Sequence, residues 1–225
     1  MQKASTEMPY VGVAAWTQAA DTRNPIVRAI SGPEKDQFVP LPHSETEVET
    51  IAHDLPQPNT ILLGGNATET NFKRLSTEST DVIHLALHGY ADLDYPDRSA
   101  LIFAPEPNGP DDGLLQAREI RDLHVRAKLV TLSACDTGVG PVGESEVANV
   151  VNAFIEAGAD SVVSTLWDLD DQSTEHFMTT FYSQLASHRR KVDALRLAQL
   201  DLLDKGLPPY FWAGVQIVGD PSGTI

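Results

Sequence analysis

Two side chains of this sequence, a histidine and a cysteine, have the types and the placement that nucleophilic catalysis needs. The chain contains a single cysteine, Cys135, which follows an apolar run over residues 128–134. His88 lies 47 residues upstream and follows a second apolar run, residues 82–87. A thiol becomes a strong nucleophile when a neighbouring imidazole takes its proton. The pair therefore predicts Cys135 as a cysteine nucleophile and His88 as its general base.

Both apolar runs are continuous, as expected for parallel strands that are buried on both faces. In open α/β sheets, ligands bind beyond the carboxyl ends of such strands. If the two strands are neighbours, His88 and Cys135 meet at one edge of the sheet. The backbone N–H groups of Gly89 and Cys135 are then predicted to hold the oxyanion that forms on the substrate. The alternative interpretation is an inert buried thiol near an ordinary loop histidine.

Acidic residues and a tryptophan near the same predicted edge are candidates for substrate binding. The candidates are Asp136, Trp167, Asp168 and Asp170. Carboxylates beside a flat indole can bind an Arg or Lys side chain. We therefore expect a preference for a basic residue immediately before the cleaved bond. The alternative is that Asp170 or Asp171 only caps the helix that follows.

A second histidine, His84, lies four residues before His88 in the same run. In an extended strand this spacing separates the two residues by about 13 Å, too far to share a ligand. We interpret His84 as a core histidine whose polar atoms have hydrogen-bond partners. The remaining histidines show no metal-ligand spacing, so we expect no metal site and no cofactor.

Residues 138–143 match the G-x-G-x-x-G pattern, which leaves a nucleotide-binding α/β domain as an alternative. That pattern belongs after the first strand of a dinucleotide fold, whereas at least two predicted strands precede it here. Pro141 also removes one amide from the phosphate cradle. A loop beside the nucleophile explains the glycines better.

The composition excludes several classes of function. The formal net charge is −16, from 32 acidic and 16 basic residues, which disfavours nucleic-acid binding. No apolar stretch is long enough for a membrane span, so no membrane association is expected. A lone cysteine suits a reducing compartment, and we expect a cytoplasmic protein.

Strands that alternate with helices predict an α/β fold with a mostly parallel central sheet covered on both faces. We expect two parts: an N-terminal arm over residues 1–40, which could supply an edge strand, and a domain over residues 41–225. Ser44 and Glu47 are expected to form a capping box. Residues 99–115 are predicted to form a hairpin.

Several motifs, in this order, resemble the CHAT family of caspase-like domains, which often follow tetratricopeptide repeats and are related to separases. Two of them are His-Leu-Ala-Leu-His-Gly at 84–89 and Leu-Ser-Ala-Cys-Asp-Thr-Gly at 132–138. A histidine about 50 residues before the cysteine is also typical of caspases. Further matching segments are residues 153–159, 164–168, 194–199 and 210–220. The resemblance covers about residues 41–220.

The resemblance implies a caspase-like three-layer α/β/α sandwich and a cysteine endopeptidase with a dyad of His88 and Cys135. It implies that the substrate is a protein or peptide. It also implies a regulated enzyme that is latent until an activating protein partner or a cleavage orders its loops. The alternative from another class is a catalytically weak CHAT-like scaffold or signalling module.

Overall fold

Six strands form the central sheet in the part of the chain that the structure describes. This structure is a computed structural model, and it describes residues 9–15, 40–75, 80–90, 92, 94–133, 148–167 and 169–225. The six strands are β1 (Tyr10–Ala14), β2 (Asn59–Leu63), β3 (Val82–Ala86), β7 (Leu129–Leu132), β8 (Ser161–Thr165) and β9 (Val215–Gly219). Their order is β2-β1-β3-β7-β8-β9, and among these described strands β9 alone runs antiparallel to its neighbour.

A small antiparallel sheet lies beside the central one. Its strands are β4 (His88–Tyr90), β5 (Ala100–Ile102) and β6 (Leu114–Gln116), paired in that order. β5 and β6 form the hairpin that the sequence predicts. β4 is an addition that the sequence does not indicate, because it follows β3 after a single residue and the sequence gives no signal for a second strand there.

Helices cover both faces of the central sheet. They are α1 (Ser44–Asp54), α2 (Glu69–Lys73), α3 (Ala117–Asp122), α4 (Ala148–Glu156), α5 (Asp171–Ala186) and α6 (Lys191–Asp204). The residues buried on one face come from α1, α5 and α6, and those on the other come from α2, α3, α4 and the small sheet. The predicted three-layer α/β/α sandwich with a mostly parallel sheet is therefore confirmed.

The two central strands β3 and β7 are buried along their whole length. Their side chains alternate between the two faces, as the pleat requires. Ile83 and Leu85 pack into the core under α4, whereas Val82 packs into the core under α5 and α6. This alternation turns His84 toward the helices α1 and α5.

β1 does not lie at an edge of the sheet, so the expectation of an edge strand in the N-terminal arm is wrong. It pairs on both sides, with β2 and with β3. Its five residues are buried, and at Gly12 an added Cβ would lie 2.6 Å from Cγ1 of Val48. The strand's small residues allow α1 to pack directly on it, whereas the polar residues around the run suggested a peripheral position.

The capping box expected from Ser44 and Glu47 is also wrong. The N-cap residue of α1 is His43, and its side chain makes no capping hydrogen bond. Oγ of Ser44 donates to the carbonyl of Leu41 at 2.8 Å. The helix begins at Ser44 itself, and Glu47 is buried with its carboxylate against His84 of β3.

A buried lysine fastens α6 to the amino ends of β7 and β8. Lys191 is 1% exposed, and its Nζ donates to the carbonyl of Lys128 at 2.8 Å and to Oγ of Ser161 at 2.9 Å. Burial lowers the pKa of Lys191, and the nearby Asp220 and Asp160 oppose that shift. The contact lies at the edge of the sheet opposite to His88.

We predict that Gly158→Ala destabilises the fold. Gly158 ends α4 with φ +113°, and an added Cβ would lie 2.3 Å from the carbonyl oxygen of Val125. Strain of this kind costs about 1–3 kcal/mol before the clash is included. The matched control is Gly206→Ala, where φ is +77° but nothing lies within 4 Å. Chemical denaturation should show a larger loss of unfolding free energy for Gly158→Ala, and equal losses would contradict the clash.

Candidate active site

The strands that lead to His88 and Cys135 are direct neighbours in the sheet. β3 and β7 pair in parallel, with Val82 opposite Leu129 and Leu85 opposite Leu132. The backbone N–H of Ser133 continues the ladder and donates to the carbonyl of Leu85 at 3.0 Å. The carboxyl ends of both strands therefore meet at one edge, which is the condition that the predicted dyad requires.

His88 lies two residues beyond the end of β3 and is the first residue of β4. Its side chain is buried, and its backbone pairs with Ile102 of β5. Gly89 pairs with Leu101 in the same ladder. The backbone of His88 is thus held in the small sheet, directly after the end of β3. The predicted role of the Gly89 N–H at an oxyanion stays a prediction.

Several predicted site residues lie outside the described residues. They are Cys135, Asp136 and Asp168, together with the glycine-rich run 138–143. The described chain on this side ends with Ser133, which is buried and two residues before Cys135. The structure therefore fixes where the cysteine segment begins.

His84 is a core histidine with hydrogen-bond partners, as predicted. Its Nε2 lies 2.6 Å from Oε1 of Glu47, and its Nδ1 lies 3.2 Å from Oη of Tyr182. The side chains of His84 and Glu47 are 0% and 3% exposed. Sequence reasoning assigned Glu47 to a cap and missed this contact. The signal was an acid on the same helical stripe as Val48 and Ile51, which both face the core.

Two hydroxyl groups extend this buried contact to β7. Oγ of Ser133 donates to Oε1 of Glu47, and Oη of Tyr182 donates to Oγ1 of Thr131 at 2.8 Å. Burial raises the pKa of Tyr182 far above its ordinary value, so its hydroxyl stays protonated and available as a donor. The carboxylate of α1 is therefore connected both to β3 and to the end of β7.

Trp167 lies at the carboxyl end of β8, the strand next to β7. Its Nε1 donates to the carbonyl of Tyr210 at 2.8 Å, and the two rings stack with centroids 6.4 Å apart. The indole lies flat against Gly214, where an added Cβ would be 2.7 Å from the ring. Leu166 and Tyr210 are 49% and 53% exposed. We call Leu166, Trp167 and Tyr210 the aromatic shelf.

The two described acids beside the shelf, Asp170 and Asp171, lie at the start of α5 and accept backbone hydrogen bonds. Asp170 is the N-cap of α5, and its Oδ2 accepts from the backbone N–H of Ser173 at 3.0 Å. Asp171 accepts from the backbone N–H of His43 at 2.8 Å. Burial raises the pKa of Asp171, and that hydrogen bond partly offsets the rise. Asp170 therefore caps α5, as the alternative interpretation of the sequence expects. Its predicted contact with substrate stays a prediction.

Among the described residues, no group of three or more His, Asp or Glu side chains could hold a metal ion. No helix in the described part of the chain is both long and apolar enough to cross a membrane. An imidazole beside a thiol can carry out nucleophilic acyl transfer, in which the imidazole moves the proton.

Solved structures with the same fold are cysteine proteinases. The Arg-specific cysteine proteinase gingipain R (RgpB) superposes with a TM-score of 0.60 at 9% identity, covering 96% of this chain and 47% of that one. A complex of the pro- and mature domains of RgpB from Porphyromonas gingivalis gives a TM-score of 0.56 at 10% identity. At these identities the likeness concerns the fold alone.

Sequence comparison gives the family. Tetratricopeptide repeat protein 28 from Mus musculus is 29% identical over 110 residues, and its counterpart from Homo sapiens is 30% identical over 108 residues. Each match spans 47% of this chain and only 4% of the much longer relative. The CHAT domain family model matches residues 12–220, nearly the whole chain. With the caspase-like sandwich and the two motifs at neighbouring strand ends, this match shows that the chain belongs to the CHAT domain family.

Proposed function

We propose that this chain is a cysteine endopeptidase that cleaves protein substrates with a dyad of His88 and Cys135. The observation that carries the proposal is the parallel pairing of β3 with β7, because it delivers the segments of both residues to one edge of the sheet. The same reaction class occurs in gingipain R, a cysteine proteinase that shares the fold.

In the proposed reaction, Sγ of Cys135 attacks the carbonyl carbon of the scissile peptide bond while His88 accepts the thiol proton. The resulting oxyanion receives hydrogen bonds from the backbone N–H groups of Gly89 and Cys135. When the C–N bond breaks, His88 donates the proton to the leaving amine, and a thioester remains on Cys135. His88 then takes a proton from water, which hydrolyses the thioester and releases the thiol.

The burial of His88 supports its role as the base. The side chain of His88 is buried and its backbone is paired with β5, so the imidazole has few alternative positions and little order is lost when substrate binds. Proton transfer by a positioned side chain of this kind contributes about 10²–10⁴-fold to a rate. A histidine on a free loop would contribute less.

We further propose that the aromatic shelf and the adjacent acids form the pocket for a basic side chain before the cleaved bond. A guanidinium can stack on the indole of Trp167 and bind a carboxylate of Asp168, Asp136 or Asp170 at the same time. The shelf lies at the carboxyl end of β8, one strand from β7. An apolar side chain could use the ring but would leave the carboxylate without a partner.

Substitution of the dyad is the first test. We predict that Cys135→Ala and His88→Ala each abolish peptide cleavage without unfolding the chain. His84→Ala should lose less activity than His88→Ala, because its fully buried imidazole cannot reach a substrate. His53→Ala is the matched control, since that side chain lies exposed on α1. The measurement is kcat/KM on a peptide library, with circular dichroism to verify folding.

Retained proteolysis in Cys135→Ala would overturn the dyad. A thiol-directed peptide probe separates the other classes of function. Labelling that requires both Cys135 and His88 supports the protease. A folded chain that takes no label and cleaves nothing would favour a scaffold or signalling module. Binding of a nucleotide to residues 138–143 would favour the nucleotide-binding alternative.

The second test concerns specificity. We predict that wild type prefers Arg or Lys before the cleaved bond, and that Asp168→Ala reduces this preference by about 2–5 kcal/mol, the cost of losing one partner of a desolvated charge pair. Gly214→Ala should also weaken the preference, because its Cβ would displace the Trp167 ring. The control is Asp160→Ala, an exposed acid at the opposite end of β8. An unchanged basic preference in Asp168→Ala would remove Asp168 from the pocket.

The third test concerns latency. We predict that the isolated chain turns over slowly until a protein partner or a cleavage activates it, as the family resemblance implies. Initial rates on a fluorogenic peptide should rise after limited proteolysis or on addition of a candidate partner. High steady turnover by the purified chain, with no activator and no self-cleavage, would contradict this expectation.

A further inference from the structure

Five polar side chains form one hydrogen-bonded cluster in the layer between the central sheet and the helices α1 and α5. They are Glu47, His84, Thr131, Ser133 and Tyr182, and we call them the Glu47 network. All five are buried. Polar groups at this depth are costly unless they are satisfied, and each member here has a partner within the network.

The cluster contains a serine, a histidine and an acid, but it is not a second nucleophilic centre. Oγ of Ser133 donates to the carboxylate of Glu47 and not to the imidazole of His84. The histidine therefore cannot take the serine proton directly, as a nucleophile requires. The depth of all three side chains also denies them access to a substrate.

The geometry points to a different role, and we propose that Glu47 is a positioning residue that holds both halves of the reactive pair. Its single atom Oε1 receives the hydrogen bonds of Ser133 and of His84. Ser133 lies two residues before Cys135, and His84 lies four residues before His88. One carboxylate on α1 thus fixes the position of β3, along the strand direction, relative to the end of β7. This inference rests on the proposed function of the pair.

The neighbours of His84 hold its imidazole in place. Gly12 of β1 lies beside His84 in the ladder, and the ring of Tyr10 occupies the space that a side chain at Gly12 would need. The ring of Tyr182 meets that of His84 edge-on with centroids 5.3 Å apart. The imidazole is thereby restrained on the sides of β1 and α5, so its bond to Glu47 transmits a shift of α1 to β3.

The expected effect is on the reacting groups more than on substrate affinity. All five side chains are buried, so we do not expect substrate to contact them directly. A misplacement of reacting atoms by about 1 Å can lower a rate about 10²-fold. Loss of one hydrogen bond in the network should therefore lower kcat and leave KM nearly unchanged.

The test uses the fact that Cys135 is the sole thiol of the chain. The rate of its alkylation by iodoacetamide, measured across pH on the folded chain, reports the environment of that thiol without any substrate. The variants are Ser133→Ala, Ser133→Thr and Glu47→Gln, with Ser164→Ala as the matched control. Ser164 is also buried near the end of a central strand, but it bonds to Gln216 and not to Glu47. Thermal unfolding identifies a temperature at which all variants are folded.

We expect Ser133→Ala to change the alkylation rate about tenfold and to shift its pH profile. Ser133→Thr, which keeps the hydroxyl, should restore the wild-type rate. Glu47→Gln keeps an acceptor oxygen and should fall between the two. Rates within about twofold of wild type for Ser133→Ala and Glu47→Gln, or an equal change in Ser164→Ala, would overturn the proposal, since a merely structural role predicts this.

The proposed function can fail separately. If His88→Ala leaves the alkylation profile unchanged while Ser133→Ala and Glu47→Gln alter it, the dyad is wrong and the control of the cysteine segment by Glu47 stands. If His88→Ala alters the profile and the network variants do not, the dyad stands and the positioning role is wrong.

Discussion

The parallel pairing of β3 with β7 is the constraint on which the rest of this molecule depends. Both strands lie in the middle of the sheet and are buried on both faces, so their register has no freedom. A slip of β3 by one residue would turn His84 into the apolar core on the other face and would bring a leucine or isoleucine of β3 against Glu47. The register in which the apolar side chains pack into the core also determines where the two strands end relative to each other.

The two faces of the sheet enforce this register by different means. One face is filled by apolar side chains from α2, α3 and α4, and such contacts are not directional, so they stabilise any arrangement that packs well. The other face contains the buried acid of α1, whose hydrogen bonds have one satisfactory geometry. A buried polar group that is left without its hydrogen bond costs about 1–3 kcal/mol. The polar contact thus specifies the arrangement that the apolar contacts stabilise.

Much of this architecture can be predicted from the sequence, because long apolar runs and helical stripes indicate their elements directly. His88, Cys135 and the core role of His84 follow from such runs. Glu47 does not, since a local capping pattern explained its charge equally well. The interior position of β1 and the stacking of Tyr210 on Trp167 depend on contacts between residues far apart in the chain. Neighbouring residues carry no information about which distant strand or ring will be the partner.

The buried ammonium of Lys191 has a consequence for how motions of this sheet could be observed. It sits at the amino ends of β7 and β8, so reagents that acylate amines reach it only when α6 lifts away. Burial lowers the pKa of Lys191 only while α6 is in place, so the released amine reacts as an ordinary lysine does. The rate of Lys191 acylation would therefore report how often α6 separates from the amino ends of β7 and β8. Changes confined to the opposite edge of the sheet, where His88 lies, should leave that rate unchanged.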